Sequence, residues 1–172
     1  MRALLVLAVL LSACRREDLT PPALAVGRPA PAFAVRTLAG DTVRSGPGQP
    51  LTLVNLWATW CIPCRREFPT LERLQRDYGP RGLRVVAVSV DQGRGAAVAD
   101  FARVRRVTFT IGLDPSGRTQ RLFQAVGLPE SYLIGPDGRL LFRKIGAVPP
   151  DAAALRALLD SLLPGPVAAS TN

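Results

Sequence analysis

Apolar residues fall into two rhythms along this chain. Residues 51–58 (LTLVNLWA) and 83–90 (LRVVAVSV) are almost continuously apolar. Such runs, bounded by turn residues, fit strands buried on both faces. Between them the pattern changes. Glu67, Leu71, Leu74 and Tyr78 recur at offsets of four, seven and eleven, while Arg66, Arg73, Arg76 and Asp77 fall elsewhere. That spacing predicts a helix from Ile62, stopped by Gly79-Pro80.

The other elements follow from the same reading. Two short apolar runs around Ala39-Gly40-Asp41 predict a β-hairpin. Residues 96–106 predict a helix with Val98, Phe101 and Val104 turned inward. TFTIGL predicts a short strand, and residues 118–126 a short helix ending at Gly127. ESYLI and LLFRKI predict strands joined by Pro136-Asp137-Gly138. Leu155, Leu158, Leu159 and Leu162 stripe a last helix, entered through Pro149-Pro150-Asp151. Strands alternating with helices and closing on a hairpin predict an α/β fold, with a central mixed sheet flanked by helices.

The N-terminus reads differently. Arg2 precedes nine apolar residues, a helix of only about 14 Å, which is the length of a signal-peptide core and too short to span a bilayer. Leu11-Ser12-Ala13-Cys14 resembles the lipobox of bacterial lipoproteins. This resemblance implies that residues 1–13 are a signal peptide and that Cys14 carries lipid. Residues 14–26 then form the lipidated cysteine and tether, 27–163 the domain, and 164–172 a flexible tail. The plainer alternative is a signal peptide followed by an incidental cysteine. On either reading the protein is exported, and a lipid on Cys14 would hold it at the cell membrane facing the periplasm or extracytoplasmic space.

Charge changes this picture little. The formal net charge is +9, and all but one of the 22 basic residues are arginine. The arginines are scattered, with no long basic run and no interleaved aromatics, so the pattern argues for a solvated surface and against a nucleic-acid groove. Attraction to anionic lipid remains compatible with it.

With Cys14 set aside, Cys61 and Cys64 are left, in the stretch WATWCIPCRREFP. Cys61 follows a predicted strand and opens a predicted helix, where unpaired N–H groups and the helix dipole favour a thiolate. Cys64 lies one turn on and on the same face, placed to close a small disulfide ring. Pro63 stiffens the turn between them. An attacking and a resolving thiol are the parts of thiol–disulfide exchange. The chain has no histidine. A four-ligand zinc site, a c-type haem attachment (Arg65 stands where His is needed) and a papain-like Cys–His pair therefore each lack a required residue. Glu67 sits on the apolar stripe beyond Cys64. A carboxyl there has a raised pKa and can exchange a proton with Cys64, unless it bends out to an arginine. Asn55, polar within a central strand, is expected to bond neighbouring backbone. Pro129, between a helix end and a strand, suggests a cis Leu128–Pro129 bond.

Together WATWCIPCRREFP and GLPESYLIGPDGRL resemble the thioredoxin-fold, membrane-tethered thiol–disulfide oxidoreductases of bacterial cell envelopes, the TlpA/ResA/CcmG group. The resemblance covers about residues 27–163. It implies a thioredoxin-like fold with an N-terminal β-hairpin and one inserted helix, residues 96–106. It implies that Cys61 is the exposed nucleophile, that Cys64 is the buried resolving cysteine, and that the two form a redox disulfide. Pro129 then matches the cis-proline beside the disulfide and Pro69 the helix-kinking proline. Trp60, Ile62, Pro63 and Leu128 would line the partner, Leu128 through its backbone. Glu67 matches this group's acid, and Asn55 stands where thioredoxin has a buried aspartate. Glu130, expected at an exposed position, makes a Pro-Glu-Ser order closer to the CcmG branch than to ResA.

The implied activity is reduction of disulfides in an envelope protein, such as the haem-attachment CxxCH of apocytochrome c during cytochrome c maturation, with a membrane electron donor restoring the dithiol. No metal and no permanent cofactor are implied. Three rivals stay open: an oxidant or isomerase on the same fold, a peroxiredoxin-type peroxidase, and a non-catalytic binding protein. Ala58, three residues before Cys61, disfavours the peroxidase, which wants Thr or Ser there.

Overall fold

A computed structural model describes residues 24–93 and 95–165. Cys14, most of the tether and the end of the tail lie outside the described residues. The elements are β1 (Phe33–Thr37), β2 (Thr42–Ser45), β3 (Thr52–Trp57), α1 (Ile62–Tyr78), β4 (Arg84–Ser89), α2 (Gly95–Val104), β5 (Thr110–Leu113), α3 (Arg118–Leu122), β6 (Glu130–Ile134), β7 (Leu140–Ile145) and α4 (Ala153–Leu162), with a 3-10 turn at Gly79–Arg81. This is the order of strands and helices that the apolar pattern predicts.

All strands join one sheet in the order β2-β1-β5-β4-β3-β6-β7. β3, β4 and β5 run parallel, and β6, β7 and the β1–β2 hairpin are antiparallel to their neighbours. The continuously apolar run becomes β3, every residue of which is buried between two paired neighbours. Strand alternation sends Leu53 and Trp57 to one face and Val54 and Leu56 to the other. α1, α2 and α4 cover the first face with Leu71, Leu74, Val98, Leu155 and Leu159. Phe123 and the hairpin residues Phe33, Val35 and Val43 cover the second. On that second face Gly112 of β5 is pressed by the hairpin, and a Cβ there would lie 2.6 Å from Val35 Cγ2.

The structure corrects details of three helices. Val98 is fully buried and Phe101 half-buried, but Val104 is 69% exposed. At 100° per residue, position 104 lies about 120° from position 98, off the inward stripe. The predicted helix over 118–126 ends at Leu122, because Gln124 turns the chain into the left-handed region at φ 48° and leaves Val126 exposed. In α4, Leu155 and Leu159 are buried, whereas Leu162 at the helix end is 45% exposed.

Candidate active site

β3 delivers the chain to Cys61 at the C-terminal edge of the parallel strands, where ligands gather in α/β sheets. Cys61 is the N-cap of α1, with extended backbone at φ −79° and ψ 104°. Its Sγ accepts a hydrogen bond from the Cys64 N–H at 3.3 Å, the role a serine or aspartate oxygen usually fills. Cys61 and Cys64 are joined as a disulfide with Cα atoms 5.3 Å apart. Pro63, in the first turn, lacks an N–H that the helix could not have satisfied internally.

Exposure around the pair is graded. Cys64 is fully buried, Cys61 retains 5%, and the flanking Trp60 and Ile62 are 62% and 60% exposed. Cys61 is thus the outer sulfur, but less open than the resemblance implies. In the disulfide it turns inward onto Cys64, within the core cluster that also holds Trp57, Phe68 and Val148.

A latch missed in the sequence reading fixes the approach to Cys61. Asp91, buried after β4, accepts from the Thr59 N–H at 2.8 Å, the Thr59 hydroxyl at 2.6 Å and the Ser89 hydroxyl at 2.8 Å. The Cys61 N–H donates to Ala58 O at 3.1 Å, closing the turn. The signal was available in SVDQ: an aspartate directly after a buried strand, with a serine two residues before it.

Glu67 does not bend out to an arginine. It is buried on the inner face of α1, one helical turn beyond Cys64. Its Oε1 accepts from Asn55 Nδ2 at 2.8 Å, and its Oε2 accepts from the Val148 N–H at 2.8 Å. Desolvation outweighs both bonds and raises its pKa from 4.5 to about 7. Asn55 differs from expectation. It bonds two side chains, Glu67 and Ser131 Oγ (2.9 Å), because strand alternation aims it at α1. Asn55 Oδ1 is buried without a partner. An amide flip would let it accept the proton of a neutral Glu67.

The Leu128–Pro129 bond is cis. The β3–β6 register pairs Leu56 with Glu130, so its continuation sets buried Pro129 beside Trp57, where β3 leaves for the cysteines. Pro129 O accepts from the Gly146 N–H at 3.0 Å. Among the described residues, neither main-chain group of half-buried Leu128 has a backbone partner. Pro69 lies inside α1, where it deprives one carbonyl of its helical donor. Glu130 is not exposed. It is fully buried on the second face, 2.7 Å from Arg143 Nε and accepting from the Val126 N–H at 3.0 Å. Among the described residues, no group of three or more His, Cys, Asp or Glu side chains gathers as a metal set.

A disulfide capping a helix, with its inner sulfur sealed and its outer one at the rim of a thioredoxin-like sheet, defines a thiol–disulfide oxidoreductase. Comparison with known proteins agrees. Residues 26–143 match the AhpC/TSA family model, and the chain belongs to that family. It is 38% identical over 96 residues to the thiol:disulfide interchange protein CycY of Rhizobium leguminosarum bv. viciae, covering 56% of this chain. That match spans only 50% of CycY. It is 30% identical over 125 residues to the thiol-disulfide oxidoreductase ResA of Bacillus anthracis, covering 70% of each chain. A crystal structure from Chlorobium tepidum, assigned as a thiol:disulfide interchange protein DsbE, superposes with a TM-score of 0.72 at 33% identity, covering 81% of this chain and 98% of that one.

Proposed function

We propose that the protein is an extracytoplasmic reductase of partner-protein disulfides, held at the membrane by lipid on Cys14. In its dithiol form, the Cys61 thiolate attacks a partner disulfide. A new S–S bond forms, the partner's S–S bond breaks, and one partner sulfur leaves as a thiolate. Cys64 then gives its proton to Glu67, and its thiolate attacks Cys61 Sγ. This releases the second partner sulfur and leaves the Cys61–Cys64 disulfide. The partner gains two electrons, which a membrane thiol donor resupplies. Trp60, Ile62 and Pro63 line the partner, and the free backbone groups of Leu128 pair with its chain beside Pro129. The partner class we favour is a protein with a CxxCH disulfide, such as apocytochrome c, on the likeness of the chain to the CcmG and ResA group.

One observation carries the mechanism. The sulfur that caps α1 accepts the Cys64 N–H, and the only acid on the inner face of that helix among the described residues is a desolvated carboxyl one turn on. A peroxidase reading gains nothing from the site, since Ala58 offers no hydroxyl three residues before Cys61. The test is trapping. A Cys64→Ala chain should accumulate mixed disulfides through Cys61, with CxxCH proteins among those captured. A folded Cys64→Ala chain that captures nothing, or adducts that persist when Cys61→Ser is added, would overturn the proposal.

A further inference from the structure

Arginines scattered in the sequence are gathered by the fold. A groove of about 410 Å³ lies between α1 and the turn after α2. Phe68, Pro69 and Val107 make the apolar part of its lining, and Arg73, Arg76 and Arg105 the cationic part. One carboxylate, Glu72, shares the lining, but it is engaged by the Thr108 N–H at 3.1 Å and by the Thr108 hydroxyl. Arg76 is paired with Asp77 at 3.0 Å. The others are not neutralised. Arg73 donates to Thr70 Oγ1 and to Pro150 O, both uncharged. Arg105 lies 5.5 Å from the centroid of the Phe101 ring, and Arg65 lies 5.9 Å from the same centroid. Among the described residues none of Arg65, Arg73 and Arg105 forms an ion pair. Three arginines against the one lining carboxylate, Glu72, leave the groove with a net positive potential that a complementary anion relieves.

The groove also has a fixed relation to the chemistry, because α1 carries both. At about 1.5 Å per residue, Pro69 lies about 12 Å and Arg73 about 18 Å along the axis from Cys61. An extended chain covers about 3.3 Å per residue. A partner bonded to Cys61 would therefore reach the groove about four to six residues from its reacting cysteine.

We infer that this groove is a docking site for an acidic segment of the partner protein, four to six residues from the cysteine that bonds Cys61. The inference deepens the reductase reading and rests on it. A concave lining that mixes apolar side chains with arginines suits a peptide with acidic and apolar side chains better than the plane of an anionic bilayer.

The test uses synthetic disulfide-bonded peptides with two glutamates at that spacing, beside glutamine and lysine versions. At low salt, kcat/KM for the glutamate peptide should exceed that for the glutamine peptide about tenfold, with the lysine peptide lowest. The ratio should fall toward one as salt rises to about 0.5 M. In an Arg73→Glu/Arg105→Glu chain the order should reverse in favour of lysine, which a merely structural role for these arginines would not produce. Equal kcat/KM for all three peptides at low salt would overturn the inference, as would an unchanged order in the double variant. Should that variant not fold, the charge series and salt dependence of the native chain decide alone. Binding to anionic vesicles through these arginines, without any peptide preference, would overturn it in favour of lipid. A chain that reduces none of the peptides would defeat the reductase reading instead. Anisotropy of a labelled, cysteine-free glutamate peptide would then decide the groove separately: saturable, salt-sensitive binding supports it and none overturns it.

Discussion

Glu67 and Glu130 are both buried, on opposite faces of the sheet and on either side of the cis-proline strand. Their partners differ. Glu130 meets a guanidinium at 2.7 Å and a main-chain N–H. Glu67 meets only neutral donors, an amide and a main-chain N–H. The one with a cation is tied into a structural pair that links β6, β7 and the turn at Val126. The one without a cation holds its proton up to about pH 7. A buried carboxyl becomes a proton store when burial is not offset by a full opposite charge.

The largest effect expected from breaking this contrast is on stability. Arg143→Met should cost about 3–4 kcal/mol, because Glu130 would be left buried without its cation. Adding Glu130→Gln should recover much of that loss, as read from denaturant midpoints. A cost below about 1 kcal/mol for Arg143→Met would mean that Glu130 and Glu67 are held alike.

Next comes pH. An acid whose pKa is higher folded than unfolded binds its proton more tightly in the fold. The contribution of Glu67 to stability is therefore greatest below about 4.5 and is lost as pH rises through about 7. The drop should approach about 3 kcal/mol across that window. Glu67→Gln should flatten it, since glutamine can still accept from Val148 and donate to a flipped Asn55. The same substitution should slow release of the Cys61 mixed disulfide about a hundredfold at neutral pH, measured by stopped flow with a trapped peptide. A flat native profile would place Glu67 with the ordinary carboxylates.

The smallest effect belongs to a third buried acid. Asp91→Asn puts an amide where Thr59 needs acceptors. It should cost about 1 kcal/mol and lower kcat/KM a few-fold by loosening the approach to Cys61, while leaving the pH profile governed by Glu67 in place. Loss of the profile itself would show that the two acids are coupled.

Much of this was legible in the amino acids. The runs of β3 and β4 read as buried strands from their length and bounding turns, the stripe of α1 reads from its helical period, and the cysteine pair reads from its spacing. Glu67 stood out because a carboxyl on an apolar stripe is anomalous. The Asn55 contacts were not legible, since they depend on β6 bringing Ser131 alongside, 76 residues later. Glu130 looked exposed because nothing local shows that Arg143, on the next strand, will cover it. Val104 was misplaced by extending the stripe one step too far. The Asp91 latch had a local signal in SVDQ, but it acquires meaning only when β4 is set beside β3.

The tight seat of Val35 against Gly112 says something about how this architecture is assembled. The accessory ribbon can pair closely beside the fifth strand because that strand offers a bare α-carbon next to Val35. Even one methyl there would force the Val35 side chain to give way. The ribbon and the bare carbon are a matched set: a sheet that takes up the one must already hold the other.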